Sequence, residues 1–317
     1  MSETVQGRIL DGVRVAAEIR DEVARGVVEL RTSGGRTPCL TAVRVGDDPA
    51  SKIYVASKAR MSEDVGFVSR VVELPETLGE AELLSIVDEL NGDPEVDGIL
   101  VQLPLPRQIA VERVLSRVDP AKDVDGFHPL DVGRLWLGQA GLRPATPAGI
   151  LELLRREGVE LPGRHAVIVG RSDIVGKPLA ALLLAAHATV TICHSRTREL
   201  AAHCRRADLL VGALGRPGFL GDEHVADGAV VIDVGINRVD DRATVDRLCG
   251  ADAKKLAAFE KRGSVLVGDV DFEAVKNRVA AITPVPGGVG PLTIAMLLAN
   301  TLTASAARQS REWSIGG

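Results

Sequence analysis

Short apolar runs alternate with longer segments of helical periodicity along the first hundred residues. Residues 39–45, 67–74 and 98–103 have the length and composition of buried strands, whereas residues 13–30 and 80–90 repeat apolar positions at helical spacing. Strands that alternate with helices are typical of βαβ units, in which neighbouring strands run parallel. The N-terminal part of the chain is therefore predicted to be an α/β structure with a parallel sheet.

A dinucleotide-binding pattern begins at residue 165. Residues 166–169 form a predicted buried strand, a turn bounded by Gly170 and Gly176 follows, and residues 178–186 form a predicted helix. Such glycines allow a close approach to the backbone, and the helix N-terminus offers free N–H groups and a positive dipole to a pyrophosphate. The spacing differs from GxGxxG, so the turn alone does not identify the ligand.

The residues after the second strand of this pattern bear on the choice of cofactor. The predicted strand at residues 189–193 is followed by Ser195 and Arg196, where an NAD-binding unit would carry an acidic residue for the ribose 2′-hydroxyl. A hydroxyl and a guanidinium at this point, with Arg171 in the preceding turn, suit a 2′-phosphate. The sequence therefore predicts NADP rather than NAD.

Glycines also end the later strands of this half. Three strands are predicted with a glycine close behind each: residues 208–213 with Gly215, residues 229–234 with Gly235, and residues 265–267 with Gly268. A glycine just past a strand lets a nicotinamide or ribose lie against the backbone. The charged, helix-capable residues 239–262 between the last two strands are predicted to be a surface excursion.

A phenol and an amine stand four residues apart in the helical-looking segment Ser51-x-x-Tyr54-x-x-x-Lys58. Positions i and i+4 share one face of a helix, so both side chains can serve one cleft. An amine held in its neutral form can act as a base near pH 7. A solvated lysine beside a tyrosine at the edge of the core is the alternative, and by residue type it is the commoner case.

Two further polar residues follow predicted strands or turns. Gln102 stands at the end of the strand at residues 98–103, where Pro104 prevents continued pairing and where open α/β sheets bind their ligands. Asp125 lies in the charged, turn-rich loop of residues 122–129, and an ionised carboxylate accepts two donors from a heterocycle. A capping glutamine and a plain Asp-Gly turn are the structural alternatives.

Two stretches rich in glycine and proline interrupt the alternating helices and strands. Residues 138–147 indicate a domain boundary, with Thr146 as the N-cap and Pro147 as the first position of the next helix. Residues 283–291 form a stiff loop that opens a last helix at residues 292–307. Prolines restrict this loop and glycines let a ligand approach it.

Composition indicates which kind of partner the protein binds and in which cellular compartment it works. The 317 residues, 45% hydrophobic and 26% charged, are typical of a globular protein of two domains, and the net charge of −5 favours neither nucleic acid nor a membrane surface. The four cysteines form no CxxC, which indicates reduced thiols, a cytoplasmic location and no structural metal. A small-molecule substrate is expected.

Five motifs together resemble the bifunctional methylenetetrahydrofolate dehydrogenase/methenyltetrahydrofolate cyclohydrolase family, over about residues 9–306. They are Ser51-x-x-Tyr54-x-x-x-Lys58, the run from Asn91 through Gly98 to Gln102-Leu103-Pro104, Asp123-Val124-Asp125-Gly126-Phe127, Gly170-Arg171-Ser172 to Val175-Gly176-Lys177-Pro178, and Pro286-Gly287-Gly288-Val289-Gly290-Pro291-Leu292-Thr293. One departure is Pro144-Ala145-Thr146-Pro147, where family members usually carry Pro-Cys-Thr-Pro. It speaks against a catalytic cysteine there.

The resemblance implies two domains with a cleft between them. Residues 1–146 and 283–317 would form a three-layer α/β catalytic domain that binds folate, and residues 147–282 a Rossmann-type NADP-binding domain. In this family a hydride passes from 5,10-methylenetetrahydrofolate to NADP+, and water then converts 5,10-methenyltetrahydrofolate to 10-formyltetrahydrofolate. A homodimer is implied as well.

The resemblance also implies roles for single residues. Lys58 would be the acid/base group of the hydrolysis, held in its working state by Gln102. Tyr54 would position the folate, and Asp125 would anchor its pterin ring. The cleft would be lined by Pro286, Gly287, Gly288 and Val289. The implied cofactor-binding residues are Gly170, Arg171, Ser172, Val175, Gly176, Pro178, Ser195, Arg196, Gly215, Gly235 and Ile236.

Two other functions are compatible with parts of the pattern. A monofunctional NAD(P)-dependent dehydrogenase of another small substrate would share the two-domain layout but would not hydrolyse the methenyl compound. A non-catalytic NADP-sensing or scaffold protein would be expected to lack Lys58 or the glycine-bounded turn, and this chain carries both.

Overall fold

The computed structural model describes residues 7–250 and 252–316. Its strands are β1 Arg8–Ile9, β2 Cys39–Val45, β3 Val68–Leu74, β4 Gly98–Val101, β5 His165–Val169, β6 Thr189–Cys193, β7 Leu209–Gly212, β8 Val230–Asp233, β9 Asn237–Val239, β10 Val265–Val267 and β11 Ala281–Ile282. Its helices are α1 Gly12–Thr32, α2 Pro49–Asp64, α3 Glu80–Gly92, α4 Val111–Leu115, α5 Pro129–Trp136, α6 Ala145–Arg156, α7 Gly176–Ala185, α8 Leu200–Cys204, α9 Arg242–Cys249, α10 Ala253–Arg262, α11 Phe272–Val275 and α12 Val289–Arg308. Helices and strands alternate as the sequence predicts.

The chain divides into two compact units. The N-terminal unit contains Ala16–Ala145 and Thr293–Gly317, and the central unit contains the chain up to Val15 and Thr146–Leu292. Most of α12 therefore belongs to the N-terminal unit. The domain boundaries given by the sequence, 1–146 with 283–317 and 147–282, stay a prediction.

The N-terminal unit is built on a three-stranded parallel sheet in the order β3-β2-β4. The central strand β2 is buried along its whole length, as expected for a strand with a partner on each side. Gly98 lies close beneath α12, since a Cβ added there would meet Thr301 Oγ1 at 3.2 Å and Val124 Cγ1 at 2.7 Å. Because the three strands run parallel, their carboxyl ends lie at the same edge of the sheet.

The central unit is built on a six-stranded parallel sheet in the order β1-β11-β8-β7-β5-β6. From β5 the chain goes outward to β6 and then returns to the other side at β7. In open α/β sheets the crevice at such a reversal is where ligands bind. The fold places this crevice between the loops that follow β5 and β7.

Strand β10 has the bounds that the sequence predicts, Val265–Val267, but it lies outside the large sheet. It pairs antiparallel with β9, with Leu266 opposite Arg238. The large sheet is extended instead by β1 and β11, two-residue strands that the sequence did not reveal. A three-residue apolar run carries too little information to specify its partner.

The charged residues 239–262 are folded into a small layer of their own. Helices α9 and α10 pack on β9 and β10 around a buried cluster that includes Val245, Leu248 and Cys249. Asp241 and Asp252 cap the two helices through backbone N–H groups, at 2.8 Å to Thr244 and 3.0 Å to Lys254. The predicted surface excursion is therefore an ordered substructure.

Helices α6 and α12 are among those that begin earlier than predicted. Helix α6 begins at Ala145, so Thr146 and Pro147 lie within its first turn and Thr146 is not the N-cap. Helix α12 begins at Val289 rather than at residue 292. In each case the helix extends back into the stretch that the glycines and prolines marked as loop.

Helix α12 is the one helix in the described part of the chain that is long and apolar enough to span a membrane by length and composition. Of its most apolar window, 72% is buried within the protein. Leu292, Leu298 and Leu302 are fully buried. This is the burial of a core helix, and packing accounts for the apolar composition.

All four cysteines are free and buried. Burial raises the pKa of the thiols of Cys39, Cys193 and Cys249, and it raises the pKa of Cys204 to about 12. The thiols are therefore protonated near neutral pH and shielded from solvent.

Candidate active site

Helix α2 carries two of the predicted site residues on one face. Asp48 caps its N-terminus, because the carboxylate accepts the Ser51 N–H at 2.7 Å, and Pro49 occupies the first turn. From this start, Tyr54 and Lys58 lie one helical turn apart. Tyr54 is 45% exposed and Lys58 is partly buried, so the phenol is accessible while the amine lies deeper.

A hydrogen bond joins Lys58 to Gln102, which lies just beyond the carboxyl end of β4. Lys58 Nζ donates to Gln102 Oε1 at 3.1 Å, and Gln102 Nε2 donates to Leu103 O at 2.7 Å. Because the amide nitrogen is occupied by a carbonyl acceptor, the amide oxygen is oriented toward the amine. Two residues predicted separately from the sequence thus form one pair.

Asp125 lies close enough to Lys58 for the two charges to interact. Burial raises the pKa of Asp125, and the positive charge of Lys58 lowers it by a smaller amount. The loop is anchored from α12, where Asn300 Nδ2 donates to Val124 O at 2.8 Å. The N-terminal unit therefore brings Lys58, Asp125 and the amide beside the lysine into one cluster.

The glycine-bounded turn after β5 is packed against its neighbours. A Cβ on Gly170 would lie 2.0 Å from the carbonyl oxygen of Ala213, and a Cβ on Gly176 would lie 2.3 Å from that of Gly170. Only glycine fits at both positions. The turn therefore lies directly against the loop after β7, at the reversal of the strand order.

Ser172 changes what this turn offers to a ligand. Its Oγ accepts the N–H groups of Val175 at 3.1 Å and Gly176 at 3.3 Å. The glycine-bounded pattern predicts that N–H groups at the start of α7 are free for a pyrophosphate, but these two already have a partner. Arg171 is exposed beside them, and Pro178 is buried within the helix. The dipole of α7 and the exposed guanidinium of Arg171 still favour an anion at this turn.

Ser195 and Arg196 lie beside the same turn. The Gly170 N–H donates to Cys193 O at 2.9 Å, which holds the end of β5 against the end of β6. Ser195 and Arg196 follow β6 directly, and both are exposed. The carboxyl ends of two neighbouring strands thus place these residues and Arg171 at one edge of the sheet.

The remaining predicted cofactor positions follow β7 and β8. Gly215 has a φ of 68°, in the region that favours glycine, and Gly235 lies two residues beyond the end of β8. Ile236 is 48% exposed. Both loops belong to the carboxyl edge that carries the glycine-bounded turn.

The proline- and glycine-rich loop of the central unit is only partly accessible. Pro286 is exposed and Gly287 is partly exposed, with a φ of 105°, whereas Gly288 and Val289 are buried. A Cβ on Gly12 would lie 1.7 Å from Gly288 O, so the start of α1 packs on this loop at backbone contact. Of the four residues predicted to line the cleft, Pro286 and Gly287 are the two with exposed or partly exposed surface.

Family models match both halves of the chain. The tetrahydrofolate dehydrogenase/cyclohydrolase catalytic domain matches residues 10–125, and the NAD(P)-binding domain of the same family matches residues 144–309. The chain belongs to this family. The two matches confirm the family resemblance and the α/β fold class that were predicted from the sequence. They also confirm the bifunctional dehydrogenase and cyclohydrolase assignment.

Individual members of the family align over nearly the whole chain. Bifunctional protein FolD of Koribacter versatilis is 54% identical over 301 residues, which are 95% of this chain and 97% of that protein. The crystal structure of the Campylobacter jejuni FolD enzyme has a TM-score of 0.86 and 43% identity, covering 95% of this chain and 99% of that one. The Trypanosoma brucei enzyme, complexed with NADP cofactor and inhibitor, has a TM-score of 0.85 and 39% identity, covering 96% and 99%.

In this member of the tetrahydrofolate dehydrogenase/cyclohydrolase family, Lys122 is a structural residue that the sequence did not single out. It is fully buried, and its Nζ donates to the carbonyl oxygens of Leu90, Asn91 and Asp93, at 2.9, 2.8 and 2.7 Å. A lysine at a helix C-terminus satisfies carbonyls that have no partner within the helix. Lys122 thus ties the loop that carries Asp125 to the end of α3.

Asp123 was also not singled out, although it lies two residues before the predicted pterin anchor. It is 4% exposed, and its Oδ2 accepts the His128 N–H at 2.6 Å. Burial raises the pKa of Asp123 to about 7, and the charge of Asp125 adds to the shift. The sequence signals were the alternating charges of the loop and, for Asp123, its place at the start of the family motif Asp123-Val124-Asp125-Gly126-Phe127.

Proposed function

We propose that this member of the tetrahydrofolate dehydrogenase/cyclohydrolase family oxidises 5,10-methylenetetrahydrofolate to 5,10-methenyltetrahydrofolate with NADP+ and hydrolyses the product to 10-formyltetrahydrofolate. The pairing of Lys58 with Gln102 beside Asp125 carries the proposal. An amine, an amide and a carboxyl group then stand together at the carboxyl edge of a parallel sheet. The two family models account for both halves of the activity.

The hydrolysis needs proton transfer, and Lys58 is the group we assign to it. Water attacks the methenyl carbon and loses one proton. When a carbon–nitrogen bond of the ring then breaks, the leaving nitrogen gains a proton and the new hydroxyl group loses its own to become the formyl oxygen, so one proton is released overall. Gln102 Oε1 accepts one N–H of the lysine at 3.1 Å, and this bond fixes the direction of the amine. Gln102 therefore orients the acid/base group.

Asp125 and Tyr54 are assigned to the folate itself. A pterin ring carries N–H donors side by side, and an ionised carboxylate accepts two of them in a fork. Asp125 is a partly exposed residue whose carboxyl group interacts with Lys58, which suits a contact with a ring held next to the amine. The exposed ring of Tyr54, one turn before Lys58, offers a face for packing.

NADP is the cofactor we assign to the central unit. When bound, NADP+ accepts the hydride that leaves the one-carbon group. Gly170 and Gly176 keep the turn after β5 compact, and Arg171, Ser195 and Arg196 supply the charge and the hydroxyl that a 2′-phosphate requires. The NAD(P)-binding domain of the family and the NADP complex of the T. brucei relative support the assignment.

A homodimer in the cytoplasm completes the proposal. Strand β6 forms one edge of the six-stranded sheet, and Thr189 and Ile192 on it are exposed. An uncovered edge strand offers unpaired backbone groups to a second chain. Four free, buried thiols are in keeping with a reducing compartment.

The test compares Lys58→Met with Lys52→Met, an exposed lysine on the same helix that pairs with Asp47 at 2.9 Å. Each protein receives 5,10-methylenetetrahydrofolate and NADP+, and absorbance follows NADPH and the methenyl compound. We expect wild type and Lys52→Met to form NADPH and clear the methenyl compound. We expect Lys58→Met to clear it about 100-fold more slowly or worse, because the proton-transfer group is lost.

Two results would contradict parts of the proposal. If Lys58→Met clears the methenyl compound as fast as Lys52→Met, the lysine is not the acid/base group. If wild type works as well with NAD+ as with NADP+, the roles given to Ser195 and Arg196 are wrong.

A further inference from the structure

Two buried aspartates lie beneath the loops to which the proposed function assigns the cofactor. Asp233 is the last residue of β8 and is 4% exposed, and Asp269 lies two residues beyond β10 and is fully buried. A buried carboxylate is stable only when hydrogen bonds or opposite charges compensate for the lost water. The hydrogen-bond donors to these two carboxylates therefore show which parts of the chain they stabilise.

Asp269 binds the loop after β7. Its Oδ2 accepts the N–H groups of Leu214 at 2.7 Å and Gly215 at 2.9 Å, and its Oδ1 accepts that of Arg216 at 2.8 Å. A fourth donor, Asn237 Nδ2, reaches Oδ1 at 2.9 Å from the start of β9. Three successive N–H groups on one carboxylate fix the backbone of this loop.

Asp233 binds the segment that carries Asp269. Its Oδ1 accepts the N–H groups of Gly235 and Asp269, both at 2.9 Å, and its Oδ2 accepts that of Val270 at 2.9 Å. The Asp233 N–H donates to Thr283 Oγ1 at 2.7 Å. The loops after β7, β8 and β10 are thereby joined through two side chains.

Packing around the two carboxylates excludes side chains at the neighbouring glycines. A Cβ on Gly235 would lie 2.4 Å from Asp269 Cγ, and a Cβ on Gly268 would lie 1.8 Å from Asp233 Oδ2. Contacts this short do not occur, so both positions require glycine because of the aspartates. Gly215 differs, since nothing lies within 4 Å of its Cβ position.

We propose that Asp233 and Asp269 are positioning residues for the cofactor. Together they hold the loops of Gly215 and Gly235 in the single conformation that receives the nicotinamide end of NADP. This inference rests on the proposed function, because it takes the cofactor site from it. The aspartates touch neither ligand nor reacting atoms in this assignment and act through the backbone that they bind.

The experiment compares Asp269→Asn with Asp97→Asn. Asp97 is an equally buried carboxylate of the N-terminal unit, which accepts the Cys39 N–H at 3.0 Å and pairs with Arg36. Asn237→Ala is a milder variant that removes one donor and leaves both carboxylates. For each protein, calorimetry gives the Kd of NADP+, kinetics give the KM of NADP+, and hydrolysis of supplied 5,10-methenyltetrahydrofolate reports on the N-terminal unit.

We expect Asp269→Asn to raise the Kd and KM of NADP+ about 10- to 100-fold, because an amide cannot accept all four donors of the carboxylate. Asn237→Ala should raise them by a few-fold. In both variants hydrolysis of the methenyl compound should stay at the wild-type rate. Asp97→Asn should lower the melting temperature while the Kd of NADP+ stays at its wild-type value.

Three outcomes would contradict either the positioning role of the aspartates or the cofactor assignment. If Asp269→Asn folds and binds NADP+ as wild type does, the inference is wrong, whatever its melting temperature. If Asp269→Asn does not fold, Asn237→Ala decides, and an unchanged Kd overturns the inference. If wild type itself fails to bind NADP+, the cofactor assignment of the proposed function fails instead.

Discussion

Asp123 makes stability depend on pH at the scale of a single residue. Its pKa is raised from 3.8 to about 7 in the folded protein, so between these values the folded chain holds a proton that the unfolded chain has lost. The contribution of Asp123 to the free energy of unfolding therefore falls as pH rises through this window and levels off above it. We expect Asp123→Asn to reduce this slope by roughly 1 kcal/mol per pH unit.

Denaturant unfolding at several pH values between about 4 and 8 measures the slope. Asp64→Asn, an exposed carboxyl group at the end of α2, is the matched control and should leave the slope as in wild type. Equal slopes for wild type and Asp123→Asn would mean that Asp123 is ionised throughout the window.

The sequence predicts site residues that belong to a motif, but it does not predict residues whose role depends on buried contacts. Lys58, Gln102 and Asp125 follow from spacing and strand ends, and the structure places them together. Asp233 and Asp269 could not be singled out, because what distinguishes them is a hydrogen bond between residues 36 positions apart. An aspartate next to a glycine indicates only a turn until its partners are known. The catalytic roles stay predictions.

At the scale of elements, α2 depends on its N-terminal cap. Asp48 accepts the Ser51 N–H at 2.7 Å, so Asp48→Ala leaves a first-turn donor without its partner. We expect a loss of about 1 kcal/mol in the free energy of unfolding, measured by denaturant titration. Because Lys58 lies in the third turn, kcat of the hydrolysis should stay at its wild-type value.

Asp47→Ala is the control for the cap. Asp47 is exposed, pairs with Lys52 and Arg44 and caps no helix. Its loss should lower the free energy of unfolding by less than the loss of Asp48. Equal effects would show that surface charge, rather than capping, stabilises this end of α2.

The long periodic elements were predictable and the shortest strands were not. Strand β2 was predicted residue for residue, because five of the seven residues of this fully buried central strand are apolar, with Thr41 and Arg44 as the exceptions. Strands β1 and β11 have two residues each, and their place in the sheet depends on contacts between distant parts of the chain. The antiparallel pairing of β10 with β9 could not be predicted for the same reason.

At the scale of the whole molecule, the proposed homodimer predicts a native mass twice that of the chain. Light scattering coupled to gel filtration measures it. Ile192→Lys places a charge on the exposed edge of the six-stranded sheet, which should shift the protein toward the single chain if β6 forms the interface. A wild-type mass of one chain would contradict the dimer, and a dimeric Ile192→Lys would place the interface elsewhere.

The burial of the four thiols makes the native chain a ready background for site-specific labelling. A maleimide dye reacts with thiolates, and the protonated, shielded cysteines of the folded protein offer it none. A single cysteine introduced at an exposed position, such as Arg60 on α2, would then carry the dye without prior removal of the native ones. Fluorescence from such a probe gives a view of ligand binding that needs no change to the core.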